Sequence, residues 1–249
     1  AAQGPVVEGV VRAASFDLEQ RAVRVVALSP PDSDAEMSRV VSNGAGFSVL
    51  WLARRAEVAG PSDAASSRSV RDIGPSTNIE IPGEPRAYAW LEMSAVDTAG
   101  NATGPVQRLT ASSGHVSAYD VQALSSALRP ILIVARDDGE TVDGSGGTLL
   151  RVRALGHAVE APLAIASDGL GRGAPIIVDG PLPWLSWVGP REHLRLIPLD
   201  AKGDAVGPAS AEEGLDDARP LVALPADGRM LVAAPNERSA QLRVFTCQR

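Results

Sequence analysis

Residues 86–96 read RAYAWLEMSAV, and this stretch carries the pattern that decides the fold class. Leu91, Met93 and Ala95 fall on one side of an extended chain. The residues between them, Trp90 and Glu92 among them, fall on the other side. Side chains of a β-strand alternate between two faces, so a period of two residues indicates a strand. The stretch is therefore predicted to be a strand with two different faces.

The same period of two recurs through most of the chain, in short segments rich in β-branched residues. Gly, Pro, Asp or Asn separates these segments, which is typical of an all-β sandwich or propeller. The all-β prediction rests on residues 22–28 (AVRVVAL), 47–53 (FSVLWLA), 130–136 (PILIVAR), 148–155 (TLLRVRAL), 175–179 (PIIVD), 184–188 (WLSWV), 193–199 (HLRLIPL), 220–224 (PLVAL), 230–234 (MLVAA) and 241–245 (QLRVF).

Composition excludes several classes of protein. With 249 residues, 45% of them hydrophobic, the chain is long enough to bury a core and too apolar to be disordered. No run approaches the roughly 20 apolar residues of a membrane-spanning helix, so no membrane span is predicted. The net charge is −7 and the basic residues are scattered, which argues against a nucleic-acid partner.

The N-terminal sequence and the amino-acid usage indicate a bacterial exported protein. The chain begins AAQGP, and small residues are expected directly after a removed signal peptide, although a cloned domain boundary would look the same. Lys202 is the one lysine against 22 arginines, a bias typical of GC-rich bacterial genomes. The expected location is periplasmic, cell-surface or extracellular. The single cysteine, Cys247, has no internal partner, so it is either a buried thiol or the site of an intermolecular disulfide.

Residues 97–105 read DTAGNATGP and follow a predicted strand. This segment resembles the last hairpin of a fibronectin type III or bacterial immunoglobulin-like domain. The resemblance implies an immunoglobulin-like β-sandwich over residues 1–113, with Trp51 on the third strand as a core tryptophan. A Ser-, Asp- and Arg-rich stretch at 60–77 is expected to be a loop insertion, serving either as a binding loop or as a tolerated surface segment.

Residues 199–208 read LDAKGDAVGP and resemble the outer hairpin of secreted bacterial β-propeller repeats. The dipeptides at 129–130, 174–175 and 219–220 recur at a spacing of 45 residues, the length of one four-stranded blade. Residues 114–249 are therefore predicted to form a repeat-built, propeller-like β domain. The hairpins at 96–105 and 199–208 align without a gap, which leaves a single five-bladed β-propeller over the whole chain as the alternative.

Calcium is the metal considered, and no other cofactor is expected. In an immunoglobulin-like sandwich, the loop after the second strand and the loop before the last strand share one end, which would bring Asp32 and Asp34 near Asp97 and Asn101. The other interpretation is that these residues simply form turns. The histidines are dispersed and no nucleophile lies near a base, so the chain is predicted not to be an enzyme.

Trp184 and Trp187 fall on opposite faces of one predicted strand. An exposed tryptophan would contact a ligand or partner, whereas two buried ones would be core residues. The function predicted from the sequence is a non-enzymatic structural or adhesive component of a bacterial cell-surface or extracellular assembly. Its partners would be proteins, through self-association or a larger assembly. The alternatives are a soluble module that recognises glycan or protein, and an accessory domain of a larger secreted hydrolase.

Overall fold

A computed structural model of the chain describes residues 9–17, 22–31, 33–55, 88–126, 129–139, 147–156, 158–167, 170–171, 173–189, 193–212, 219–224, 229–235 and 240–246. Every regular element in these ranges is a β-strand, so the all-β prediction is confirmed. The described ranges contain no helix that could cross a membrane.

Within the described residues, the strands form five sheets, numbered here in chain order. Sheet 1 is β1 (Arg12–Asp17) and β2 (Ala22–Ala27), and sheet 2 is β3 (Ser33–Ser42), β4 (Gly46–Arg55), β5 (Ala89–Asp97) and β6 (Gln107–Arg108). Sheet 3 is β7 (Val116–Ala123), β8 (Ile131–Asp137), β9 (Thr148–Leu155), β10 (Ala158–Val159) and β11 (Leu163–Ala166). Sheet 4 is β12 (Ile176–Val178), β13 (Trp184–Val188), β14 (Leu194–Pro198) and β15 (Ser210–Glu212), and sheet 5 is β16 (Arg219–Leu224), β17 (Arg229–Pro235) and β18 (Ala240–Phe245).

The strands of each sheet are antiparallel, and consecutive strands pair in every sheet except at the end of sheet 3. There, β9 pairs with β8 on one side and with both β10 and β11 on the other. The first strands of sheets 2 to 5 lie against one another in chain order, β3 with β7, β7 with β12 and β12 with β16. Antiparallel meander sheets are also the blades of a β-propeller. The single five-bladed propeller over the whole chain stays a prediction.

A hydrophobic core fills the space between each pair of successive sheets. On β8, Ile131 and Ile133 pack toward sheet 2, whereas Leu132 and Val134 pack toward sheet 4. Such a strand is buried on both faces, which explains why its sequence is an unbroken apolar run. The core between sheets 2 and 3 draws residues from both sides of position 113. The division into domains 1–113 and 114–249 stays a prediction.

The hairpins that suggested a repeat have the same structure. The turns that follow β5 and β14 have the same two main-chain hydrogen bonds. In the first, the N–H of Asp97 donates to Asn101 O and the N–H of Gly100 donates to Asp97 O; in the second, the N–H of Asp200 donates to Asp204 O and the N–H of Gly203 donates to Asp200 O. Gly100 and Gly203 occupy the same left-handed conformation, with φ of 81° and 83°. Each turn connects the third and fourth strands of its sheet. The gapless alignment of the two segments therefore reflects equivalent positions in two sheets.

The 45-residue spacing of the proline dipeptides does not mark equivalent positions. Pro130 precedes β8, the second strand of its sheet, whereas Pro175 precedes β12, the first strand of its sheet. Pro220 lies within β16, again a first strand. An apolar strand accompanies each dipeptide, as predicted, but the turns after β5 and β14 mark the repeat more faithfully than the prolines do.

Candidate functional site

The segment that suggested a calcium ligand set is a self-contained turn. Asp97 Oδ1 accepts hydrogen bonds from the main-chain N–H groups of Ala99 and Asn101, at 2.9 and 2.8 Å. Its Oδ2 accepts one from Asn101 Nδ2 at 2.8 Å. The hydrogen bonds from Asn101, the side-chain amide first, lower the pKa of Asp97 below its ordinary value. Arg24 of β2 donates a hydrogen bond to the side-chain amide oxygen of Asn101. The side-chain oxygens of Asp97 and Asn101, which would bind a cation, therefore already accept hydrogen bonds from the protein.

The other predicted calcium ligands do not join this turn. Asp34 faces Arg54 across the β3–β4 pair, whereas Asp97 faces Gly46 at the other end of β4. Eight residues of extended strand separate those two positions, about 26 Å. Asp34 instead accepts a hydrogen bond from the N–H of Gly9, and Asp32 lies outside the described residues. In the described ranges, no three His, Cys, Asp or Glu side chains lie close enough to hold a metal ion.

The two predicted contact tryptophans are both buried, on opposite faces of β13. Trp184 is 4% exposed and packs toward sheet 5, whereas Trp187 is 7% exposed and packs toward sheet 3. The prediction of opposite faces is confirmed, and sheet 4 is covered on both sides, so neither indole lies open at the surface. Cys247 and the predicted loop insertion at 60–77 lie outside the described residues.

A buried carboxylate joins two tryptophans on the face of sheet 2 toward sheet 1. Trp51 and Trp90 donate their indole N–H groups to the two oxygens of Glu92, at 3.1 and 2.8 Å. Glu92 is 5% exposed, and the guanidinium of Arg108 lies over the Trp90 ring. Trp51 is fully buried, as the core tryptophan was expected to be. Both carboxylate oxygens are occupied by donors of the core, so this cluster is structural.

Among the spaces lined by described residues, one lies beside the turn after β5 and another lies beside the turn after β14. The first, the hairpin groove, has a volume of about 430 Å³ and lies between β1 of sheet 1 and the strands β3, β4 and β5 of sheet 2. Phe16, 72% exposed, and Phe47, 42% exposed, both line it. The turn after β5 closes one end through Asp97, Thr98 and Gly100.

Residues with hydrogen-bonding side chains also line the hairpin groove. Arg12, Ser15, Ser38 and Arg39 all line it, and both arginines are exposed. The turn is fastened to the hairpin by the Arg24–Asn101 hydrogen bond, and Gly100 lies so close to Ser15 that a Cβ would stand 3.2 Å from the serine Cβ. These contacts hold the turn after β5 against sheet 1 at one end of the groove.

The second space, the inter-sheet cavity, has a volume of about 260 Å³ and lies between sheets 3 and 4. Its walls are apolar side chains from β8, β11, β13 and β14, with Trp187 and Arg151 as the two lining residues that carry polar side-chain atoms. The turn after β14 contributes Gly203 and Ala205. Neither the groove nor the cavity was predicted from the sequence, because each forms only where two sheets pack against each other.

No protein-family model matches the chain, and no curated protein matches it. Among solved structures, the chain resembles an endo-arabinase from Bacteroides thetaiotaomicron VPI-5482, with 11% sequence identity over 97% of this chain and 95% of that one, and a TM-score of 0.43. It also resembles a putative exo-β-1,3-galactanase from Bifidobacterium bifidum s17, with 12% identity over 99% of this chain and 82% of that one, and a TM-score of 0.41. Similarity at this level carries no inference about activity.

Proposed function

We propose that the chain is an exported, non-catalytic recognition module that binds carbohydrate in the hairpin groove. The observation that carries the proposal is that two exposed phenylalanines, Phe16 and Phe47, are among the residues that line one groove, together with arginine and serine residues. A sugar presents flat faces of C–H groups and a rim of hydroxyl groups. Exposed aromatic rings bind the C–H faces, and polar side chains orient the hydroxyl groups through hydrogen bonds.

The anchoring of the groove supports this function. An exposed phenylalanine costs solvation free energy unless a partner covers it, and Phe16 is the most exposed large apolar side chain in the described ranges. The turn after β5 is held by Asp97 and by Arg24, so the groove does not have to form when a ligand arrives. Preorganisation of this kind lowers the entropic cost of binding.

The test is calorimetric titration of the full chain with a panel of arabinan, β-1,3-galactan and polygalacturonate oligosaccharides. Phe16→Ala should raise the Kd for the bound sugar at least about tenfold, the size expected for loss of an aromatic anchor. Tyr88→Ala is the matched control, because Tyr88 is 49% exposed but does not line the groove. The proposal is contradicted if no sugar of the panel binds, or if Phe16→Ala and Tyr88→Ala lose the same affinity. Saturable binding of a peptide library, without binding of any sugar, would identify a protein-recognition module instead.

The assembly role predicted from the sequence is a second candidate, favoured by a different feature. The outward face of sheet 1 exposes Val23 and Val25, and the last strand of sheet 5 exposes Leu242 and Val244. Sheets 1 and 5 are the first and last sheets along the described part of the chain, and exposed apolar faces of this kind could pair between copies of the chain. Light scattering should then give a mass of several chains that falls to one chain in Val23→Lys and Leu242→Lys, and a monomeric native chain contradicts this role.

A further inference from the structure

The first strand of sheet 2 contains a bulge whose first residue is not a glycine. Two residues of β3, Met37 and Ser38, lie opposite the single residue Trp51 of β4, where the pairing register shifts. Met37 has a φ of 54°, in the left-handed region. Bulges with a left-handed first residue usually have glycine there, because a Cβ raises the energy of that conformation. A methionine keeps such a conformation only where the surrounding structure supports it.

A tyrosine of the next sheet supplies this support. The hydroxyl of Tyr119, on β7 of sheet 3, donates to the carbonyl oxygens of Met37 and Leu50, at 2.5 and 3.1 Å. Tyr119 is 1% exposed. Burial raises the pKa of Tyr119 above its ordinary value of 10.0, so the hydroxyl keeps the proton that it shares with these carbonyls. The bulge of β3 is thus tied to a residue that lies 82 positions further along the chain.

The bulge decides which residues of β3 face the hairpin groove. Ala35 belongs to the core on the side of sheet 2 toward sheet 1, and Val40 pairs with Val49, which packs against that same core. Directly opposite residues of an antiparallel pair share a face, so Ala35 and Val40 lie on one face of the sheet. A regular strand would place residues five positions apart on opposite faces. The extra residue at the bulge therefore brings Val40 to the groove, which β3 lines with Ser38, Arg39 and Val40.

We infer that Tyr119 is a positioning residue of the hairpin groove, because its hydroxyl holds the left-handed Met37 and so fixes the bulge that brings Val40 to the groove wall. Tyr119 is not among the residues that line the groove, so it acts through the main chain of β3. Its effect on sugar binding rests on the proposed function. Its effect on the bulge needs no ligand, and the two effects are measured separately.

The first experiment follows the bulge itself by NMR of the full chain labelled with ¹³C and ¹⁵N. Backbone chemical shifts distinguish a left-handed residue from one in an extended strand. In Tyr119→Phe, which removes only the hydroxyl, the shifts of Met37 should move from left-handed toward extended values. When Met37→Gly is added to Tyr119→Phe, residue 37 should keep left-handed values, because glycine adopts this conformation without support. Unchanged Met37 shifts in Tyr119→Phe would overturn the inference.

The second experiment measures the consequence for binding, by calorimetric titration with the sugar that the wild-type groove binds. Tyr119→Phe should raise the Kd about fivefold, the factor that one neutral hydrogen bond supplies. Adding Met37→Gly should restore most of the affinity, which a merely structural role of Tyr119 would not allow. Val121→Ala is the matched control, because Val121 is buried in the same core and on the same strand as Tyr119. It should lower stability and leave the Kd unchanged.

Each remaining outcome also decides. An unchanged Kd in Tyr119→Phe, an equal rise in Val121→Ala, or no recovery with Met37→Gly would contradict the positioning role. If the wild-type chain binds no sugar, the proposed function fails, and the Met37 shifts alone decide the inference. If Tyr119→Phe does not fold, the double variant with Met37→Gly should fold, since glycine does not need the hydroxyl, and a double variant that also fails to fold counts against the inference.

Discussion

The turns after β5 and β14 have the same backbone structure and yet border different spaces. Each turn packs against the sheet that precedes its own, Gly100 against Ser15 of sheet 1 and Gly203 against Leu132 of sheet 3. Within the described residues, sheet 1 has two strands and the space beside it is the hairpin groove. Sheet 3 has five strands in the same ranges, and the space beside it is the apolar inter-sheet cavity. The same turn therefore borders different surroundings in the two places.

The residues that fasten the two turns differ accordingly. Asn101 is held by Arg24, in an exposed contact. At the equivalent position, Asp204 binds both Arg151 and Arg153 of β9, and Arg151 is buried. A buried guanidinium requires a charged partner more strongly than an exposed one does. This difference is consistent with a carboxylate, Asp204, in the turn after β14 and an amide, Asn101, at the equivalent position of the turn after β5.

The largest effect is expected from the two turn glycines. Gly203→Ala forces a side chain into a left-handed backbone and places its Cβ 3.0 Å from Leu132, which is fully buried and has little room to move. The cost in unfolding free energy should be about 2–3 kcal/mol.

Gly100→Ala serves as the matched variant, since it meets Ser15 of a two-stranded sheet at 3.2 Å. It should cost about 1–2 kcal/mol, mostly from the backbone conformation. Urea unfolding of both proteins measures the difference. A larger loss in Gly100→Ala would mean that sheet 1 is held more rigidly than sheet 3.

A smaller effect is expected when Asp204 is replaced by Asn. The side chain is 44% exposed, so screening by water limits the loss to about 1 kcal/mol at neutral pH even though Arg151 is buried. The hydrogen bond and the charge of Arg151, followed by the hydrogen bond and the charge of Arg153, lower the pKa of Asp204 below its ordinary value of 3.8.

A carboxyl whose pKa is depressed on folding stabilises the protein above its unfolded pKa and loses that stabilisation as the pH falls through the folded value. The difference in unfolding free energy between wild type and Asp204→Asn should therefore narrow below pH 3.8. Urea unfolding across the acid range measures it. A difference that is constant with pH would show that the charge of Asp204 contributes nothing.

The smallest effect on stability is expected at the open turn. Asn101→Ala removes the amide that donates to Asp97, so the pKa of Asp97 should rise toward its ordinary value of 3.8. Carbon-13 NMR titration of the carboxyl group follows this change directly. Stability should change less than in Asp204→Asn, because the arginine that loses its acceptor, Arg24, is exposed, whereas Arg151 is buried. An unaltered titration of Asp97 would contradict the hydrogen-bond pattern of the turn.

The sequence predicted the strands well because their cause is local. The alternation in residues 86–96 identified β5, and its two faces do pack in opposite directions, with Leu91 toward sheet 3 and Trp90 toward sheet 1. The equivalence of the two turns was also visible, since Asp and Gly at fixed positions are what such a turn requires. The calcium set was not brought together, because placing Asp34 near Asp97 required a strand pairing that the chain does not adopt.

By itself, therefore, the sequence determined the all-β class, the positions of most strands and the chemistry of the turns, since period and turn residues act over a few positions. The tertiary structure decided what surrounds each residue. It buried Trp184 and Trp187 from both sides of sheet 4, placed Glu92 between two indoles, and left Trp187 beside a cavity. Burial and pairing depend on how the sheets pack against one another, and contacts between sheets leave no local pattern in the chain.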